Sequence, residues 1–197
     1  MNNKTFVAMK KILITLIAFI ATINVIAQEH LSFKGIPIEG SMPEFCQKLK
    51  AKGFTLFNQD GDTSMFTGEF TGRDVLVGVL GAGNGKDVFL VVVLFESSRE
   101  WNTLATTYSY YKMLYTQKYG VPSFSKENNP FLSDSNISLM TELSQGTVEY
   151  ETRWTVDGGE IKLSIDKDVE YNKGKVVVVY INSIGLGMYM QDNIDDI

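Results

Sequence analysis

Two stretches of the chain are apolar at every position, and the others that read as strands alternate. Val88–Phe95, VFLVVVLF, is bounded by Asn84-Gly85-Lys86-Asp87 and Glu96-Ser97-Ser98. Eight apolar residues in a row, rich in β-branched ones and set between polar turns, predict a central strand covered on both faces. Val176–Ile181, within the strand-like segment Lys175–Asn182, repeats the pattern and predicts a second one. Around them lie segments of period two: Phe54–Phe57, Met65–Thr71, Val75–Leu80, Thr147–Val156 and Glu160–Asp166. In Thr147–Val156, Val148, Tyr150, Thr152, Trp154 and Val156 share one side and Glu149, Glu151, Arg153 and Thr155 the other. Gly72-Arg73, Gly81–Lys86, Asp157-Gly158 and Asn172-Lys173-Gly174 supply the turns. A short strand, His30–Phe33, comes before these and leads into a proline- and glycine-broken stretch, Lys34–Gly40.

Two segments switch to helical period. Ser41-Met42-Pro43-Glu44 reads as a capping box with proline in the first turn, and Met42, Phe45, Cys46 and Leu49 form the apolar stripe. Gly53 closes this helix after Lys48, Lys50 and Lys52. Ser97-Ser98-Arg99-Glu100 repeats the start signal for a longer helix ending at Gly120. Its stripe is Trp101, Leu104, Tyr108, Tyr111, Tyr115 and Tyr119, read as core, with Tyr110 and Met113 off it. Ser123–Asn136 reads as a polar loop, Ile137–Leu143 as a short helical turn, and the end, with Asp192, Asp195 and Asp196, as a polar tail. The pattern β-α-ββββ-α-βββ predicts an α+β fold: a largely antiparallel sheet with two main helices on one face.

The beginning of the chain changes the picture of where it works. Lys10 and Lys11 precede an apolar run, Ile12–Ile26, that ends in Val25-Ile26-Ala27 before Gln28. Its length and its small residues before Gln28 predict a signal peptide over 1–27, cleaved so that the mature chain starts at Gln28. The run of about 15 residues, with no basic flank after it, is short for a membrane anchor. Met9-Lys10-Lys11 is a more compact signal start than Met1. The expected address is periplasmic or secreted, with no stable membrane anchor after cleavage. Residues 28–197 read as one domain, divisible into helix-plus-meander halves 28–95 and 96–182. Without residues 1–27, 15 basic residues face 23 acidic ones, a net charge of −8. That balance argues against nucleic acid or an anionic membrane as partner. A single cysteine leaves no internal disulfide.

Candidate chemistry is sparse. His30 is the only histidine and stands third in the expected mature chain, too near a mobile end to serve a triad. Cys46 falls on an apolar helix face, where a small buried thiol is expected. Gly81–Lys86 lacks the spacing, the following Ser/Thr and the helix of a phosphate loop. Asn58, Asp60, Asp62 and Glu69 match calcium-loop positions 1, 3, 5 and 12, but Thr63 stands where the turn glycine belongs. Glu69, Glu149 and Glu151 offer carboxylates for glycoside hydrolysis if their strands are neighbours. No cofactor is expected.

Residues 33–54, FKGIPIEGSMPEFCQKLKAKGF, resemble the opening of a group of uncharacterised exported bacterial proteins, which implies export and no particular activity. The helix-plus-meander plan is similar to the beta-lactamase-inhibitor-type architecture, in topology only. Two readings result. The first is a non-catalytic, inhibitor-like binding module for another envelope or extracellular protein, with Glu149, Glu151 and Arg153 as binding-surface candidates. The alternative is a small carboxylate-dependent hydrolase acting on envelope or extracellular carbohydrate. Finally, the second faces of the two apolar strands need a cover. Ser123–Leu143 and the tail residues Leu186, Met188 and Tyr189 are the candidates within the chain.

Overall fold

The two apolar strands stand side by side at the centre of an eight-stranded antiparallel sheet in the computed structural model, which describes residues 30–82, 87–128 and 136–195. The expected signal peptide lies outside the described residues, as do Gly83–Lys86 of the glycine-rich connection. Two short strands, β1 (Ser32–Phe33) and β2 (Ile36–Pro37), pair across a Lys34-Gly35 turn and lead into helix α1 (Met42–Ala51). A meander follows: β3 (Thr55–Asp60), β4 (Thr63–Phe70), β5 (Arg73–Ala82) and β6 (Asp87–Phe95). Helix α2 (Trp101–Tyr119) opens the second half, with β7 (Phe124–Asn128), helix α3 (Asn136–Gln145), β8 (Glu149–Val156), β9 (Gly159–Lys167) and β10 (Gly174–Asn182). Helix α4 (Ser183–Asp195) ends it. The order across the sheet is β3-β4-β5-β6-β10-β9-β8-β7. It is thus two four-stranded meanders meeting at β6 and β10, where Val93 faces Val178 and Val91 faces Tyr180.

Alternation along each strand sorts the side chains onto two faces. The inner face carries Val77, Val93, Val178, Leu163 and Trp154, all buried beneath α1, α2 and α3. On α2, every predicted stripe residue from Trp101 to Tyr115 is buried, and Tyr110 and Met113 are exposed. Burying side chains of this size stabilises the fold by about 1.5–3 kcal/mol each.

Several local expectations are corrected. Neither capping box forms: Ser41 and Glu100 are the N-caps and neither makes a side-chain cap bond. Ser98 Oγ accepts the Glu100 N–H at 3.0 Å, a local turn that holds the chain until Trp101. The β4–β5 turn is Thr71-Gly72 rather than Gly72-Arg73, with φ of 51° and 79°. Thr71 tolerates the left-handed conformation because its hydroxyl donates to the Phe70 carbonyl at 2.8 Å and pairs with the Tyr111 hydroxyl. The segment read as a polar loop contains β7, the fourth strand of the second meander. An edge strand pairs on one side only, so Ser125, Lys126 and Glu127 suit it without any apolar alternation. The short turn expected at Ile137–Leu143 is the ten-residue helix α3.

The tail is not irregular either, because α4 runs through it. Asn182 caps it: its Oδ1 accepts the Ile184 N–H at 2.9 Å and the Gly185 N–H at 3.1 Å, and its Nδ2 donates to the Ile38 carbonyl. Gly185 lies against Phe89, whose ring stacks on Tyr189 at 5.0 Å. Phe89 is the extra residue of a β-bulge in β6 and is buried outside the main core, so α4 covers that part of the outer face. Deleting Gly185–Ile197 is therefore expected to cost about 2–3 kcal/mol and to induce self-association. Thermal melting and size-exclusion chromatography check it; a truncated chain equally stable and strictly monomeric would refute the covering role.

Candidate functional site

The binding-surface candidates stand together on the outer face. Glu149, Glu151 and Arg153 are alternate residues of β8, so they project from the same side. Their neighbours on that side are Lys162 of β9 and Lys126 of β7. Lys126 Nζ meets Glu149 Oε2 at 2.5 Å, Arg153 Nη2 meets Glu151 Oε1 at 2.5 Å, and Lys162 Nζ meets Glu151 Oε2 at 3.0 Å. The Arg153 guanidinium also lies 5.3 Å from the centre of the Phe124 ring. Burial pushes the Glu151 carboxyl up, but the hydrogen bonds and charges of Lys162 and Arg153 outweigh it and hold it below the usual carboxylate range. Glu151 is thus an ionised acceptor at neutral pH, saturated by two cations. Beside this ladder, towards the centre of the sheet, Leu76, Val92, Leu94 and Val179 are only half-buried.

The carboxylates considered for hydrolysis are not brought together. Glu69 on β4 and Glu151 on β8 are separated by five strand intervals, about 24 Å at the usual spacing. A glycosidase pair stands within about 10 Å. Glu149 and Glu151 are close, but each is engaged by a cation.

The calcium pattern is also dispersed. Asn58 and Asp60 end β3, Asp62 sits in the two-residue turn, and Glu69 lies at the far end of β4, facing Asp74. Six residues of extended strand from Thr63 put Glu69 about 20 Å from the turn. Among the described residues no group of three or more metal-ligating side chains converges.

His30 is better placed than its position in the chain suggests. Its Nδ1 lies 3.2 Å from Asp157 Oδ2 and its Nε2 3.4 Å from Glu39 Oε2, and the Asp157 hydrogen bond raises its pKa. It is a pinned surface group. Cys46 is half-buried rather than buried, and burial pushes its thiol up against a smaller opposing effect of Ser64. That disfavours the reactive thiolate.

Sequence reasoning missed the concave features, because their walls come from segments distant in the chain. The larger is a cleft of about 1140 Å³ between the ends of β5, β6 and β10 and the first turns of α2. Arg73, Asp74, Glu96 and Lys175 line it, with Arg73 Nη1 donating to Thr107 Oγ1 at 3.3 Å. At its rim Ser97 donates to Asp168, which also lies 3.4 Å from Lys175 and is held below the usual carboxylate range, chiefly by Ser97. No known protein family, curated protein or solved structure matches this chain. Among the described residues, the carboxylates Glu151 and Asp168 are both displaced towards the ionised form, the opposite of a general acid. Among the described residues no helix is long and apolar enough to cross a membrane.

Proposed function

We propose that this chain is an exported, non-catalytic binding module that meets another envelope or extracellular protein through the outer face of its sheet. One observation carries the reading: a strip of half-buried Leu76, Val92, Leu94 and Val179 lies beside a ladder of paired charges at Glu149, Glu151 and Arg153. An apolar centre with a polar rim is the usual anatomy of a protein interface. The two meanders meeting at β6 and β10 support the inhibitor-like plan, in which one wide sheet presents the part of its outer face that α4 leaves uncovered. Export rests on residues 1–27, and the proposed address is periplasmic or secreted, with Gln28 as the first mature residue.

The test places a photo-crosslinking residue at Leu76 or Val179, and for comparison at Met113 on the helical side. In cells producing the protein, the outer-face positions are expected to give one discrete adduct and Met113 none. Adducts absent from the outer face, or the same from both sides, would refute the assignment. Hydrolysis of envelope glycan by the purified protein, abolished in Glu151→Gln, would establish the carboxylate-dependent hydrolase instead.

A further inference from the structure

The pairing of β5 with β6 stops short of the end of β5. Its last partners there are Val75 and Phe95, whereas β5 begins two residues earlier, at Arg73. On the β4 side Arg73 and Asp74 are paired, with Phe70 and Glu69. On the β6 side they have no strand partner, because the chain leaves β6 after Phe95 through Glu96, Ser97 and Ser98. Ser98 is bonded instead to Gly174 at the start of β10, by backbone hydrogen bonds of 2.8 and 3.0 Å. A notch is left between the first residues of β5 and this departing segment. It lies in the cleft of about 1140 Å³, which has room for a short peptide. Within it, the start of β5 presents backbone N–H and C=O groups that no other strand takes up.

The charges around the notch are open as well. The side chains of Asp74 and Glu96 are exposed and have no ion pair or hydrogen bond among the described residues. Because Val75 faces Phe95, these two carboxylates flank the same end of the pairing, on the outer side of the sheet. Like charges on neighbouring strands repel, and a cation between them relieves both. Arg73, the preceding residue, points to the other side. Its Nη1 donates to Thr107 Oγ1 of α2 at 3.3 Å, the only bond of its side chain among the described residues. The other N–H groups of this exposed guanidinium are left for a planar anion. Lys175, by contrast, is taken up by Asp168 at 3.4 Å. The notch thus combines an open strand edge, one unpaired cation and, on the opposite side, two unpaired carboxylates. An extended main chain with one anionic and one cationic end matches all three.

We propose that this notch binds a short peptide with free termini. Its main chain adds to the open edge of β5, its C-terminal carboxylate pairs with Arg73, and its N-terminal ammonium lies between Asp74 and Glu96. The site stands whether or not the apolar strip of the outer face is an interface.

Calorimetric titration of the purified protein with trialanine, trialanine amide and N-acetyltrialanine tests it. Trialanine is expected to bind saturably, and blocking either terminus to weaken binding by about tenfold or more. Arg73→Gln should weaken trialanine by a similar factor and bind trialanine and its amide alike. Asp74→Asn/Glu96→Gln should likewise lose the discrimination against N-acetyltrialanine. All three positions are exposed, so both variants are expected to melt as the parent does. Each blocked terminus is thereby matched to one variant, a pattern that a merely structural role would not produce. No saturable binding of trialanine would overturn the proposal. So would equal binding of the blocked peptides, which would leave the termini without partners. Terminus effects that survive in both variants would place the peptide elsewhere and overturn it too.

Discussion

Raised above pH 10, the protein is expected to unfold in one step, with its buried tyrosines ionising only as it does so. Five tyrosine hydroxyls, those of Tyr108, Tyr111, Tyr115, Tyr150 and Tyr180, are pushed up from the ordinary value, in each case chiefly by burial. A folded pKa above the unfolded one means that stability is fully present below about pH 10. It is lost progressively as the pH climbs from there towards the folded values, because the unfolded chain releases protons that the folded chain keeps. Tyr115 and Tyr180 alone remove about 2.7 kcal/mol per pH unit. Over two units that amounts to about 5.4 kcal/mol, the low end of a domain's margin of about 5–15 kcal/mol, and Tyr108 and Tyr111 steepen the loss. The check is near-ultraviolet tyrosinate absorbance followed with far-ultraviolet circular dichroism. Of the nine tyrosines in the chain, the buried group should titrate together with loss of secondary structure. Nine tyrosines titrating smoothly near pH 10 with the fold intact would contradict the packing of α2.

The same hydroxyls explain why unfolding should be a single event. Tyr108 bonds Thr152 of β8 at 2.5 Å, Tyr111 bonds Thr71 beside β4, and Tyr115 bonds Tyr180 of β10. One helix is thereby tied to both meanders, and its rings continue the contact: Tyr111 packs 4.5 Å from Phe95 and Tyr115 5.4 Å from Trp154. Replacing one partner of the Tyr115–Tyr180 pair by phenylalanine would leave a buried hydroxyl unsatisfied, at about 1–3 kcal/mol. Replacing both is nearly neutral on the same reasoning, and it should move the alkaline midpoint upward.

What was legible in the sequence was whatever rested on burial. Val88–Phe95 and Val176–Ile181 are apolar throughout because β6 and β10 stand at the centre, and period two located the strands around them. The stripe from Trp101 to Tyr119 was legible for the same reason. What escaped was held by partners distant in the chain. β7 is a charged edge strand guided by β8 and by Lys112 of α2, which reaches Ser125 and Glu127. Helix α4 carries Gly185 and Gly187, which lower its intrinsic propensity, and it is secured by the Asn182 cap and by Phe89, nearly a hundred residues earlier. The outer-face candidates were legible because β8 alternates so regularly. Their pairing with Lys126 and Lys162 was not, since it needs strand order. The cleft was illegible for a related reason: it joins Arg73, Glu96 and Lys175, and no local pattern connects them.

The largest single-residue effect is expected where two strands come closest. Gly159 opens β9 after the Asp157-Gly158 turn and stands opposite Val156 on one side and Asn182 on the other. A Cβ at this position would collide with the Ile181 carbonyl oxygen, and Leu31 Cδ2 would be 3.1 Å away. The carbonyl is backbone of the central strand β10, so no rotamer change relieves the contact. Relief requires β9 and β10 to part next to Asn182, which anchors both the start of α4 and the Ile38 carbonyl. Gly159→Ala is therefore expected to cost about 4 kcal/mol or more, in the tail reached only by core collisions and lost networks. For a chain of this size that lowers Tm by about 8 °C or more. Gly187→Ala is the matched control: its Cβ would meet nothing within 4 Å, and in α4 it should gain about 0.5–1 kcal/mol. Thermal melts of the two variants read the contrast directly. A Gly159→Ala protein melting within about 2 °C of the parent would show that β9 and β10 do not approach in this register.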